Sequence, residues 1–414
     1  MRRIVILGTG TGGTPVANRL RRALAPDDAS IVCVDRDDDH LYQPGLLYVP
    51  FGRRTLPSLT RSRRAQLHHD IDFVLGEVDT VDLEARAVRL ADGTTLEYDY
   101  LVVAAGATLA PEETEGLTGP GWMERVFTFY SPEGAAALAD AFAGFNGGRL
   151  VVAVLDTAIK CPVAPLEFTF LAADALTRRG VRDKVEISYV TPLEGAFTRP
   201  LAAQRLGWLL ADRGVELVSS FPTASVDGAA GRIESYDGRG VDFDLAVVIP
   251  AHNGPGFVTR SPGLGDALGF IPVDERTLQL PGHPEVFALG DATGLATSKA
   301  GSVAHFSIEL FEDNFISHIH GRPMTKLFDG HANCFIESGH GKGMLIDFNY
   351  DTEPLPGKYP LPGFGPFSLL RESEANHWGK MTFRWVYWNL LLTGKEMPFE
   401  PLMSMAGKEV EVHA

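Results

Sequence analysis

Between Ile4 and Leu24 the chain reads IVILGTGTGGTPVANRLRRAL, and no other stretch restricts the fold as strongly. Ile4 to Leu7 is a short, wholly apolar strand pattern. Gly8, Gly10 and Gly13 follow in the spacing G-x-G-x-x-G, and Pro15 to Leu24 reads as a helix. The first glycine permits a tight turn, the second lets backbone approach a pyrophosphate, and the third lets helix and strand pack closely. The helix start then presents unpaired N–H groups and the positive end of its dipole to the phosphates. A second strand, SIVCVD, ends in Asp35, 22 residues beyond Gly13, where a carboxylate can accept a hydrogen bond from a ribose hydroxyl. A glycine turn alone is a weak signal. Strand, turn, helix and spaced acid together predict a dinucleotide site, with an unliganded strand–helix turn as the plain alternative.

Two later segments bear on which dinucleotide. YDYLVVAAGA, from Tyr98 to Ala107, is a buried-strand pattern ending in small residues, among them Ala105 and Gly106, which let a bound nucleotide pass close. HPEVFALGDAT, from His283 to Thr293, is another strand ending in Gly290 and Asp291. Asp291 can accept hydrogen bonds from ribityl hydroxyls or simply cap a following helix. This set resembles the flavoproteins built from two dinucleotide-binding domains, such as glutathione reductase and type II NADH dehydrogenases. The resemblance spans about residues 1–320 and implies FAD.

In such proteins a second strand–turn–helix unit holds NAD(P)H. Here the strand is Leu150 to Leu155 and APLEFTFLAADALTRRG reads as its helix, with Leu166, Phe170, Ala173 and Leu176 at helical spacing. The turn between them, DTAIKCP, has no glycine. Side chains there occupy the space a pyrophosphate needs, so the unit is expected to keep the fold without binding NAD(P). Cys161 stands in that turn beside Lys160, and a helix start favours a thiolate. Cys334 is far away in sequence, and Cys33 reads as a small buried hydrophobe within a strand. On the residues alone, a Cys161–Cys334 redox pair is one reading and two structural thiols the other.

The stretches KCPVAP-EF, NCF, VILGTGTGG and SKAGSVAHFSIE are similar to sulfide:quinone oxidoreductases, with the flavoprotein subunit of flavocytochrome c sulfide dehydrogenase as a relative. The resemblance runs along nearly the whole chain. It implies that Cys161 and Cys334 form a redox pair as a disulfide or sulfur-bridged unit, that sulfide or a related sulfur species opens the bridge, and that electrons pass through FAD to a membrane quinone. Lys299 reads as the start of a helix, KAGSVAHFSIELF, and the resemblance implies that it lies near the flavin and the quinone, where its charge stabilises a reduced flavin. Phe335 is a candidate for the quinone pocket, with core packing as the alternative. The chain departs from quinone-reducing members at Thr128, where many have a third cysteine, and at Pro132 and Phe197, near the places of two histidines. HLYQPGLLY lacks the flavin-linking cysteine of the flavocytochrome relatives, so noncovalent FAD is expected. Rival readings are a type II NADH:quinone oxidoreductase, a flavocytochrome-type subunit, and a non-catalytic flavoprotein that binds a partner.

The expected fold class is α/β: two Rossmann-like units, the second without a nicotinamide site, plus a C-terminal α+β segment. The expected division is 1–110 with 265–322 for FAD, 111–264 carrying Cys161, and 323–414 carrying Cys334. In the last part, DFNYDTEPLPGKYPLPGFGPFSLL reads as strands and turns, and ANHWGKMTFRWVYWNLLLTGKEMPF as a helix. The aromatic and basic residues of that helix suit a membrane interface, or docking on the chain's own FAD unit. A net charge of -16 argues against nucleic acid as partner, and three cysteines against a disulfide scaffold. The apolar run after MRR stops at Gly8, which predicts no export signal and a cytoplasmic or peripheral membrane location. The oligomeric state is left open, a homo-oligomer included.

Overall fold

The computed structural model describes residues 1–360, 365–396 and 400–409. Its first sheet has six strands in the order Gln279–Leu280, His283–Ala288, Tyr100–Val103, Arg2–Leu7, Ala29–Asp35 and Asp72–Leu75. All neighbours run parallel except the first pair. Ile4 to Leu7 are buried throughout, as a parallel strand covered on both faces requires. Cys33 pairs with Ile6 in register and is wholly buried, and burial pushes its thiol far up. It is the inert apolar residue its strand predicts. The first helix, Gly13–Ala23, ends in Arg21 and Arg22, cations at the negative end of its dipole.

The second sheet is also parallel, in the order Val126–Phe127, Leu245–Ile249, Gly148–Val154, Val185–Val190 and Val215–Val218. The helix after its Gly148–Val154 strand is Ala164–Arg178. It is buried on more than the predicted stripe: Leu166, Phe168, Phe170 and Leu171 all lie inside. The helix is covered by its own sheet on one side and on the other by a third sheet, whose strand Ala332–Gly339 carries Cys334.

That third sheet has the order Ala332–Gly339, Lys342–Phe348, Phe367–Leu369 and Gly357–Tyr359. The predicted run of strands and turns is therefore found, apart from 361–364, which lie outside the described residues. The predicted C-terminal helix is Glu374–Val386, capped by Ser373 and continued by a wide π turn, Tyr387–Leu391. Its expected end at 397–399 also lies outside the described residues. The apolar surface of this element divides in two. Tyr387, Trp388, Leu391 and Leu392 are buried against the first unit, while Trp378 and Trp385 are 65% and 59% exposed. Tyr387 Oη lies 2.9 Å from Thr11 Oγ1 and 2.7 Å from His40 Nε2, and Asn18 donates to Leu392 O at 2.7 Å. Docking on the chain's own FAD unit is thus made by the buried residues, and Trp378 and Trp385 stay at the surface.

Two local expectations are corrected. Lys299 does not begin a helix. The helix is Gly301–Ile319, and Lys299 lies before it in an extended segment that bridges to Lys160. Asp291 lies within a single 3-10 turn, Gly290–Ala292, rather than directly before a helix.

Candidate active site

Where the C-terminal ends of the first sheet meet the second and third units, a cavity of about 940 Å³ opens. Gly8, Gly10, Asp35, Ala105, Gly106, Gly290, Asp291 and Lys299 all line it. Gly13 lies behind, and its role is packing: a Cβ there would stand 1.8 Å from Gly8 O. A Cβ on Gly8 would lie 2.6 Å from Ala105 Cα, whereas one on Gly10 would meet nothing within 4 Å. The loop is therefore tight where it packs and open where it faces the cavity, which is the cradle a dinucleotide needs. Asp35 also serves the loop itself. Its Oδ2 accepts from Thr9 N at 2.7 Å and Thr9 Oγ1 at 2.9 Å, with Arg63 at 3.3 Å.

At the far end, Asp291 is half-buried. Burial pushes its carboxyl up, and Lys160 and Lys299 pull it back. Lys299 Nζ donates to Thr293 O at 2.7 Å and Asp291 O at 3.2 Å and lies 3.9 Å over the Phe270 ring. A carboxylate and two ammonium groups at one wall of the cavity fit a ligand that carries hydroxyls and polar ring edges. The residues present thus fit FAD.

Cys161 also lines the cavity. Its backbone has φ 49, the left-handed region that favours glycine. Such strain costs a side-chain-bearing residue about 1–3 kcal/mol and must be held in place by its surroundings. Here Cys161 N donates to Lys299 O at 2.6 Å, and Tyr130 Oη donates to Cys161 O at 3.0 Å. The turn keeps a left-handed residue but puts a thiol on it. Cys334 approaches from the third sheet, beside Ser302, whose hydroxyl accepts from Asn333 N at 3.3 Å. Both cysteines are half-buried free thiols, and each feels the charges of Glu167 and Lys380. The lowered thiol expected from the helix start is overturned. Burial pushes Cys161 up to about 12, with Glu167 adding to the rise and Lys380 opposing it. Burial pushes Cys334 up to about 11, with Lys380 opposing. Cys161 stands outside the helix, whose flanking residue is Val163, so the dipole does not outweigh burial.

The residues that tie the two thiols together escaped the sequence reading. Lys380, seen there only among the basic residues of the C-terminal helix, is half-buried, its side chain 15% exposed. Its Nζ donates to Glu167 Oε1 at 2.5 Å and to Phe335 O at 2.9 Å. Glu167 Oε1 also accepts from Glu337 N at 2.7 Å, and Glu337 meets His377 Nδ1 at 2.9 Å. One ammonium therefore joins the helix that follows Cys161 to the strand residue that follows Cys334. Burial pulls Lys380 down, but the Glu167 carboxylate outweighs it and keeps the ammonium charged. The available signal was a Glu within the apolar first half of the helix, six residues after Cys161. Phe335 is not among the residues lining the cavity. Its ring meets Phe367 edge-on at 5.0 Å, while Phe383 and Tyr387 line the wall instead. Thr128 and Phe197 are buried.

The family model for pyridine nucleotide-disulphide oxidoreductases matches residues 2–311. The chain belongs to the pyridine nucleotide-disulphide oxidoreductase family. Within it, the chain is 27% identical over 399 residues to the mitochondrial sulfide:quinone oxidoreductase of Mus musculus, covering 94% of this chain and 86% of that one. It is 22% identical over 365 residues to the sulfide-quinone reductase of Aquifex aeolicus, covering 83% of each. The solved sulfide:quinone oxidoreductase of Aquifex aeolicus superposes with a TM-score of 0.81 at 18% identity, over 95% of this chain and 92% of that one. NDH2 from Plasmodium falciparum, solved with NADH, superposes with a TM-score of 0.68 at 13% identity, over 95% and 96%. This pyridine nucleotide-disulphide oxidoreductase family member is a sulfide:quinone oxidoreductase-like flavoenzyme of α/β fold. Among the described residues, no helix is long and apolar enough to cross a membrane.

Proposed function

We propose that this enzyme oxidises sulfide, or a related sulfur species, through Cys161 and Cys334 and passes the electrons through noncovalently bound FAD to a membrane quinone. Sulfane sulfur or polysulfide is the product. The observation that carries the reading is Cys161 in a left-handed turn where a nicotinamide-binding loop would run, coupled to Cys334 through one half-buried ammonium, that of Lys380. In the oxidised state the two sulfurs are joined directly or through further sulfur. A hydrosulfide attacks the bridge, one S–S bond forms as another breaks, and a persulfide and a thiolate result. Lys380 offsets the thiolate's charge in a site where burial otherwise opposes it. Lys160, Lys299 and Asp291 hold the polar edge of the cofactor cavity. Bound FAD would supply the two-electron acceptor.

The side chains filling Asp156 to Cys161 support a reading without NAD(P). Phe383 and Tyr387, with Phe335 nearby, are the aromatic candidates for a quinone site. The exposed Trp378 and Trp385 support peripheral membrane contact. The proposed division remains 1–110 with 265–322, 111–264 and 323–414. The test is anaerobic titration of the FAD-loaded protein with sulfide, followed by quinone. Flavin absorbance should bleach with sulfide and return with quinone. Bleaching by NADH but not by sulfide would replace this reading with that of an NADH:quinone oxidoreductase.

A further inference from the structure

Across the sheet from the Cys334 side chain lies a buried charge cluster that the proposed chemistry does not use. Cys334 and Asn333 pair in register with Ile346 and Asp347 on the neighbouring strand. The Asp347 carboxylate is 0% exposed, and the ammonium that meets it, Lys408, is 1% exposed. Asp347 Oδ1 also meets His331 Nε2 at 2.8 Å and accepts from Asn333 Nδ2 at 3.0 Å, and Lys408 Nζ donates further to Ser404 O at 2.5 Å.

Lys408 comes from the segment 400–409, which is sewn onto the third sheet. Lys358 N donates to Gly407 O at 2.8 Å, Glu409 N to Pro356 O at 2.8 Å, and Met403 N to Asp329 Oδ2 at 3.0 Å. Nothing in this segment touches the cavity, yet its one lysine is aimed inward rather than at solvent. Ordering a lysine and desolvating it both cost free energy. An inward lysine therefore points to a charge that must be balanced.

We infer that Lys408 is a positioning residue for Cys334: its ammonium neutralises Asp347, so that a thiolate can form one residue away without a bare carboxylate on the opposite face of the sheet. The inference rests on the sulfur-oxidising reading above for its meaning, but not for its test. The groups that act on Cys334 are Glu167 and Lys380 from the two flanking helices, Ser302, Cys161, and Asp347 from the paired strand, which acts from the opposite face of the sheet. Asp347 in turn faces His331, Asn333, Lys408 and Tyr359. Among the described residues Lys408 is the lysine that meets Asp347, while Lys380 is engaged with Glu167.

The test reads the thiol itself. In reduced FAD-loaded protein carrying Cys33→Ser and Cys161→Ser, the rate of Cys334 alkylation by iodoacetamide is followed against pH. Lys408→Met should slow alkylation about tenfold between about pH 8 and 10, the equivalent of one unit of thiol pKa. Lys408→Arg and the neutral pair Asp347→Asn/Lys408→Met should both return the rate to within about twofold of the parent, which a loss of folding would not do. Equal rates in Lys408→Met and parent would overturn the inference, as would a double variant as slow as the single one. Failure of sulfide to bleach the flavin in the three-cysteine parent would refute the functional reading and leave the alkylation result standing.

Discussion

Replacing Lys380 by Met removes the only cation that touches Glu167 among the described residues. It leaves a carboxyl that is 1% exposed without its ion pair, and Phe335 O without its 2.9 Å donor. Breaking a buried pair from one side costs about 3–5 kcal/mol, because the remaining charge stays desolvated. An unfolding entropy of about 2.1 cal/mol/K per residue over 414 residues gives roughly 0.9 kcal/mol per degree. Tm should therefore fall by about 3–6 °C in a single cooperative transition. The partner experiment is Glu167→Gln/Lys380→Met, which removes both charges at nearly constant volume. Neutral replacement of a buried pair is often without penalty, so the double variant should lie within about 1 kcal/mol of the parent. Calorimetry of the parent, Lys380→Met, Glu167→Gln and the double variant supplies the cycle. The argument fails if Lys380→Met costs less than about 1 kcal/mol, or if the double variant loses the sum of the two singles. The chemical consequence follows the same cycle: Lys380→Met should raise both thiols, whereas the double variant also removes the Glu167 charge that raises them, so their reactivity should move back toward the parent's.

Further outcomes are expected. Cys161→Ser and Cys334→Ser should each abolish sulfide-dependent flavin bleaching while FAD stays bound, and Cys33→Ser should affect only stability, as absorbance titrations and melting curves will report. Trp378→Ser/Trp385→Ser should reduce sedimentation with anionic phospholipid vesicles while leaving Tm unchanged, since both rings face solvent; retained vesicle binding would remove them from the proposed membrane contact. Acid should destabilise the fold. Burial holds His40 at about 3 and His252 at about 3, with Arg63 and Lys160 respectively adding to the effect, and burial holds His305 at about 4. The unfolded chain binds these protons near pH 6.5, so stability is full above that value and is lost as pH falls toward the folded pKa values. At pH 5 each histidine should have cost about 2 kcal/mol, and a Tm that does not change from pH 7 to 5 would refute the assignment.

The first nucleotide unit was legible in the sequence because every determinant is local. Gly8, Gly10 and Gly13 act through backbone space within a few residues, and Asp35 ends the very next strand. The Ala164–Arg178 helix and the strands around it follow from periodicity in the same way. Resemblance supplied the expectation that Cys161 and Cys334 belong together. What no local pattern could state is the environment of those thiols. From sequence, Cys161 beside a helix start and Lys160 reads as an acidic thiol. In the fold, the third sheet covers it, burial raises it to about 12, and the compensating charge comes from Lys380, more than two hundred residues away. The same holds for Lys408 across the sheet from Cys334 and for Tyr387 on the glycine loop. A glycine turn constrains its own backbone, so sequence suffices to read it. A buried charge is set by whatever packs around it from every side, and only the tertiary structure decides which residues those are.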